Sequence, residues 1–338
     1  MNYIGSKFKL CDFIYQNITE SIKKPLNECV FCDLFAGSGV VSAFFKDKVK
    51  KVIANDSEFY SFILCQKILN SLDETKLQNY VKTLNETPFV RGKIYEHYSL
   101  GGTKDKAFQR LYFSDENAMK IDTIRQKIEL LKEQKALNLQ EYYFLLALLL
   151  KASDKVANTA SVYGAFLKKL KNSALKPLKL ECKNLQEKQK AQKNKNEIFN
   201  ENANELIDKI KGDILYLDPP YNHRQYGANY HLLNTIALYD DFTPQGKTGL
   251  RAYERSNWCK KDKVFNELEM LIKRANFRWI FLSYNDEGIL SLKQIEHLFK
   301  KYGKYKVKSK IYQRFKADCK RVQKQDYTRE YLHILEKN

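Results

Sequence analysis

The 338-residue chain has no apolar stretch long enough to cross a bilayer. Its longest run, Tyr142 to Leu150, falls far short of the ~20 residues that a spanning helix needs. Met1 to Lys9 carry no apolar signal core, so no secretory leader is expected and the protein reads as cytoplasmic. Of the seven cysteines only Cys29 and Cys32 stand at C-x-x-C spacing, and no second pair completes a zinc site. They lie within an apolar run and are expected to be buried and reduced; no metal is expected. The dinucleotide fingerprint Gly-x-Gly-x-x-Gly is missing, because Ser42 stands where the third glycine would. The same loop lacks a Gly-Lys-Ser/Thr ending, which excludes a nucleotide P-loop there.

Acidic residues are also in short supply. Against 59 Lys+Arg stand 40 Asp+Glu, giving a formal net charge of +19. Such a surface attracts polyanions, nucleic acid first among them. Lys, Asn, Ile and Tyr are all abundant, as in AT-rich coding, so charge supports that partner without establishing it. With 43% hydrophobic residues, the chain can build one large domain or two ordinary ones.

The most informative stretch is Ile214-Leu215-Tyr216-Leu217-Asp218-Pro219-Pro220-Tyr221. Its apolar half reads as a buried strand bounded by breakers. Two prolines then forbid ladder and helix hydrogen bonds, so the chain leaves the sheet in a stiff extended turn. A carboxylate, carbonyls without local partners and an aromatic ring are thereby presented at a strand's carboxyl end, where open α/β sheets bind ligands. Asp218 and the Pro219 carbonyl can each accept one hydrogen of a heterocyclic NH2, and Tyr221 can stack on the ring. The bland alternative is a strand that ends in a proline turn with a structural tyrosine.

Other segments supply partners. After Asn2-Tyr3-Ile4-Gly5-Ser6-Lys7 an amphipathic helix is expected from Leu10 to Ile22. Cys29 to Asp33 reads as a strand, followed by the turn Leu34-Phe35-Ala36-Gly37-Ser38-Gly39 and a helix. An acid at that turn favours a cationic or neutral ligand over a phosphate. About 20 residues on, the spacing of a βαβ unit, Lys51 to Asp56 reads as a second strand ending in an acid. Asp56 suits both hydroxyls of a ribose, or an N-cap for the helix expected over Glu58 to Leu72. Strands are also expected at Glu197–Asn202, Phe277–Asn285, Lys304–Phe315 and Glu330–Leu335, and a helix over Tyr230–Tyr239.

Between Asp73 and Glu197 the pattern changes. Helices are expected at Lys120–Lys135 and Gln140–Ser153, and a solvated polar tract at Lys183–Glu197. Cations and rings mingle in Pro88–Tyr112, at Arg91, Lys93, Tyr95, His97, Tyr98, Lys104, Arg110 and Tyr112. That mixture suits phosphate contacts and base stacking as well as it suits an ordinary wet helical surface. The turn-rich segment Asn158–Lys169, the polar loop 240–262 with Lys247, Arg251, Arg255, Lys260 and Lys261, and the basic connector Lys316–Arg321 complete the candidate contacts.

Three blocks in order, Asn2-Tyr-Ile-Gly-Ser-Lys7, Asp33-Leu-Phe-Ala-Gly-Ser-Gly39 and Asp218-Pro-Pro-Tyr221, resemble the Dam-like adenine-N6 DNA methyltransferases. The resemblance implies a class I, Rossmann-like α/β fold, with a mostly parallel sheet, flanking helices and a largely helical inserted recognition region. Residues 1–74 and 198–338 would form the catalytic part and 75–197 the insertion. S-adenosylmethionine would be the donor. Tyr3, Lys7, Asp33, Phe35, Ala36, Gly37, Gly39, Asp56 and Asp218 would lie around it; Asp218, Pro219, Pro220 and Tyr221 would face the target amine, with Tyr226, Tyr230 or Tyr284 as further stacking partners. Relatives often carry an acid after the third strand, facing the cofactor adenine; Asn202 stands here, and an amide can also pair with that edge. The partner implied is double-stranded DNA with a flipped-out base, in restriction-modification, with a cognate restriction endonuclease, or in host methylation. No Pro-Cys dipeptide occurs, which argues against cytosine-C5 chemistry. Adenine in RNA, cytosine N4 and an inactive DNA-binding relative remain alternatives, and the oligomeric state is not legible.

Overall fold

Strands alternate their side chains between two faces, and in this chain both faces are apolar. Cys32 and Leu34 face one buried cluster while Phe31 faces the other; Leu215 and Leu217 part from Ile214 and Tyr216 in the same way. A sheet buried on both sides is the signature of parallel strands covered by helices.

The computed structural model describes residues 3–70, 72, 74–182, 196–313 and 327–338. Asn2, residues 183–195 of the expected polar tract and the connector Lys316–Arg321 lie outside them. In chain order the elements are α1 (Cys11–Ser21), β1 (Val30–Asp33), α2 (Val40–Phe45), β2 (Lys51–Asn55), α3 (Phe59–Leu69), α4 (Glu74–Glu86), α5 (Lys93–Tyr98), α6 (Asp115–Glu133) and α7 (Leu139–Val156). There follow β3 (Glu197–Phe199), α8 (Ala203–Leu206), β4 (Lys211–Leu217), α9 (Tyr226–Asn229), α10 (His231–Leu238), α11 (Val264–Arg274), β5 (Asn276–Asn285), α12 (Leu292–Tyr302), β6 (Gly303–Gln313) and β7 (Tyr327–Lys337).

Two compact units emerge. One comprises Gly5–Leu69, Lys193–Gln225 and Arg255–Asn338; the other comprises Met1–Ile4, Asn70–Gln192 and Tyr226–Glu254. The first holds a seven-stranded sheet in the order β3-β2-β1-β4-β5-β7-β6. β1 to β5 run parallel, and β7 enters antiparallel between β5 and β6. This is the mostly parallel, helix-flanked α/β sheet expected. Residues of α1, α2 and α3 cover one face, and those of α8, α11 and α12 the other. Strand order reverses between β1 and β4, so the crevice beyond their carboxyl ends is the natural ligand position. The sequence reading did not anticipate α11 and α12, although Val264, Leu268, Leu271 and Ile272, and likewise Ile295, Leu298 and Phe299, recur at helical spacing on their buried faces.

The second unit is helical. The expected helices are present as α6, α7 and α10, while α4 and α5 were not foreseen. α6 starts on a Ser114 cap, and α7 on a capping box between Asn138 and Glu141. Residues 226–254 belong to this unit together with the insertion. Among the described residues no helix is long and apolar enough to cross a membrane.

Candidate active site

The carboxyl ends of β1, β2 and β3 are tied together by a single amide. Asn55, buried at the end of β2, donates to Leu34 O and Glu201 O, both at 3.1 Å, and accepts from Glu201 N at 3.0 Å. The glycine loop then closes over this base: Ala36 N donates to Asn55 O and Gly39 N to Ala36 O, each at 2.8 Å. Gly37 and Gly39 take φ of 53° and 74°, the left-handed region that other residues enter only at a cost. At Gly39 an added Cβ would also meet Ile68 Cδ1 at 2.7 Å. Phe35 is partly exposed and sets its ring edge-on to Trp258 at 5.0 Å, and Ala36 is buried.

Asp33 and Asp56 hold this loop from two sides. Asp33 Oδ2 accepts from Ser42 N at 3.1 Å and Ser42 Oγ at 2.7 Å, fixing the start of α2. Asp56 accepts from Gly37 N at 2.7 Å and from Glu58 N at 2.9 Å. The N-cap position of α3 falls at Glu58, whose carbonyl accepts from Ser61 N and Phe62 N, rather than at Asp56, whose carboxylate instead ties Glu58 N to the glycine loop. Asn202 is exposed and accepts from Asn204 N at 2.9 Å, capping α8.

At the end of β4 the proline corner presents Asp218. Its side chain is 18% exposed, and Lys7 Nζ lies 2.8 Å from Oδ1. Lys7 is itself buried, stands 3.2 Å from Glu330 Oε1 and donates to Gly5 O at 3.4 Å. Among the described residues no hydrogen bond reaches Asp218 Oδ2 or the Pro219 carbonyl. The two acceptors that the sequence placed at this corner thus remain open. Pro219 is buried and Pro220 partly exposed. Tyr221 is half-buried: Lys7 lies 5.7 Å from its ring centre, Tyr284 meets it edge-on at 6.2 Å, and its carbonyl accepts from Ile289 N at 2.8 Å.

Burial acts on all three acids. It pushes Asp218 up to about 6, with Lys7 opposing and Glu330 reinforcing the rise. It raises Asp33 to about 7, helped by the charges of Asp218 and Asp56 and opposed by Ser42. Asp56 also rises through burial, against its backbone donors. For Lys7 burial works downward, yet the neighbouring carboxylates hold its proton affinity well above the usual lysine range. Buried Asp33, raised further by the charges of half-buried Asp218 and Asp56, makes beside the glycine loop an environment that a cationic ligand relieves. A sulfonium with an α-ammonium group fits this chemistry.

Several of the remaining expected residues belong to the helical unit. Tyr3 is buried and stacks on Tyr230 at 4.8 Å, with Tyr226 at 5.8 Å. Of the mixed basic and aromatic segment, Tyr98, Tyr112 and Arg110 are buried, while Arg91 and Lys104 are exposed. Arg110 donates to Gly246 O at 2.9 Å, Lys247 O at 3.2 Å and His97 O at 3.2 Å. Tyr98 donates to Gly249 O at 2.6 Å. These two side chains are thus staples for the turn 246–249 rather than surfaces for a base. Cys29 and Cys32 are free and buried.

Sequence reasoning missed Glu330, which is almost fully buried beside Lys7. The signal was available. Thr328, Glu330, Leu332 and Ile334 alternate on one buried face of β7, and a carboxylate there requires a partner.

Comparison with known proteins agrees with this geometry. The family model for D12 class N6 adenine-specific DNA methyltransferase matches residues 3–329. The chain is similar to the type II methyltransferase M.NlaIII of Neisseria lactamica, at 52% identity across 100% of this chain and 99% of that protein. It is 38% identical to M.CviAII of Paramecium bursaria Chlorella virus 1, across 95% and 94% of the two chains. M.FokI of Planomicrobium okeanokoites is 39% identical across all of this chain, which spans 53% of that longer protein.

Proposed function

The chain belongs to the D12 class N6 adenine-specific DNA methyltransferases, and on that premise we propose that it methylates one adenine, flipped out of duplex DNA, within a short specific site. The observation that carries this reading is the pair of open acceptors at the proline corner, Asp218 Oδ2 and Pro219 O. Together they match the two hydrogens of one exocyclic amine. Accepting both shifts lone-pair density onto nitrogen, and Tyr221 offers its ring for stacking. Catalysis then comes from position and electrostatics, without proton removal before attack.

S-adenosylmethionine, when bound, supplies the methyl as an electrophile and is left as a neutral thioether. Phe35, Ala36, Gly37 and Gly39 would wrap it, Asp56 would hold its ribose, Asp33 would answer its positive charge, and Asn202 would face its adenine. The insertion 75–197 and the loop 240–262 are proposed to choose the site. The similarity to type II methyltransferases supports a restriction-modification role, with a companion endonuclease for the same sequence.

Incubation with methyl-labelled donor and duplex DNA, followed by nucleoside analysis, tests the reading. Label in N6-methyladenine is expected. Label in C5-methylcytosine, or transfer to RNA alone, overturns it.

A further inference from the structure

We propose that Glu330 is a positioning residue for the adenine-facing carboxylate, setting through its share of Lys7 how strongly that ammonium neutralises Asp218. The proposal rests on Asp218 being the acceptor for the target amine, as argued above. Lys7 Nζ has three oxygen neighbours: Asp218 Oδ1 at 2.8 Å and Glu330 Oε1 at 3.2 Å as ion pairs, and Gly5 O, to which it donates, at 3.4 Å. The same Glu330 oxygen accepts from Ser283 Oγ at 2.5 Å. Lys7, Glu330 and Ser283 are all nearly inaccessible, so one cation lies between two carboxylates away from water.

A buried lysine paired to Asp218 alone would draw its charge inward and leave a weak acceptor. Dividing the ammonium between two acids keeps Asp218 basic. It also anchors the cation on Oδ1, so Oδ2 stays open. The strands make this possible: β7 carries Glu330 opposite Asn285 of β5, one residue pair beyond Tyr284 and two beyond Ser283. The groups whose charge bears on Asp218 are Lys7, Glu330, Asp33, Tyr216 and Tyr221. Of these, Glu330 is the acid bonded to the same ammonium.

The test measures kcat against pH, and donor affinity, for full-length Glu330→Gln. With one anion removed, Lys7 goes wholly to Asp218. The acidic limb of kcat is expected to move down by about one pH unit, and kcat on the plateau to fall about tenfold or more, with donor affinity nearly unchanged. Glu330→Asp, which keeps the charge, is expected to restore the position of the limb. An unmoved limb, or a loss confined to donor binding, overturns the proposal. If Glu330→Gln does not fold, Ser283→Ala carries the test. It removes the donor to Glu330 Oε1, together with the hydroxyl beside Tyr216, and should raise the limb by a few tenths of a unit; no movement counts against the proposal. A wild-type protein that labels no adenine defeats the function proposed above, whereas an active wild type with an unmoved limb defeats this inference alone.

Discussion

Gly37 donates its backbone N–H to Asp56 at 2.7 Å, so the end of the second strand holds the glycine loop that follows the first. Asp56→Ala leaves that amide and Glu58 N without their acceptor. Leaving both amides without an acceptor should lower stability by about 1–2 kcal/mol and weaken donor binding by about tenfold or more. Thermal melting and calorimetric titration with S-adenosylmethionine check the two effects separately. Unchanged donor affinity would remove Asp56 from the donor site.

With Lys7 on Oδ1, protonation turns Asp218 Oδ2 from an acceptor into a donor, and burial beside Glu330 brings the carboxyl up to about 6. Turnover should therefore fall as pH drops through about 6. Asp218→Asn should abolish most transfer, by roughly 10²-fold or more, while donor affinity stays within a few-fold. A pH–rate series with isothermal titration of the variant decides this. A variant with wild-type turnover would deny Asp218 its role.

Asp33 carries a stability signature. Its folded carboxyl titrates near 7, above the ordinary aspartate value. The folded state therefore holds the proton more tightly than the unfolded chain. Stability from this group is highest at low pH and declines as pH rises from about 4 to about 7. Asp33→Asn keeps an oxygen for Ser42 and should flatten the decline. The readout is the difference between variant and wild-type melting temperatures across that window, and parallel curves would contradict the assignment.

Arg110 offers a test of the site choice proposed for the loop 240–262. Its guanidinium holds two carbonyls of the turn 246–249 and one of α5, and Tyr98 holds a third carbonyl of the turn. Arg110→Met should loosen the turn, leave donor affinity intact and raise methylation at near-cognate sites. Sequencing of methylated products from a randomised duplex library measures this. Unchanged selectivity would place recognition elsewhere.

The features legible in the sequence were those written in local chemistry. Asp-Pro-Pro-Tyr announced itself because prolines stop a strand wherever they fall, and Gly37 and Gly39 because a tight left-handed turn needs them. Asn55 and Glu330 were not legible as site residues. Asn55 acts by joining β1 and β2 to the distant β3, and Glu330 by meeting a lysine from the opposite end of the chain. Tyr98, Tyr112 and Arg110 looked like contacts for a nucleic acid because composition does not distinguish a buried ring from an exposed one. Interior packing in the helical unit decided that question.

The sheet order also has a consequence during synthesis. β1 must keep one flank vacant for β4, which is translated about 180 residues later, an interval on the order of ten seconds or more at ordinary ribosomal speed. Throughout that wait an apolar strand edge is open to wrong partners. The nascent protein is thus expected to lean on cellular holdases, and to yield insoluble product when translation outruns them.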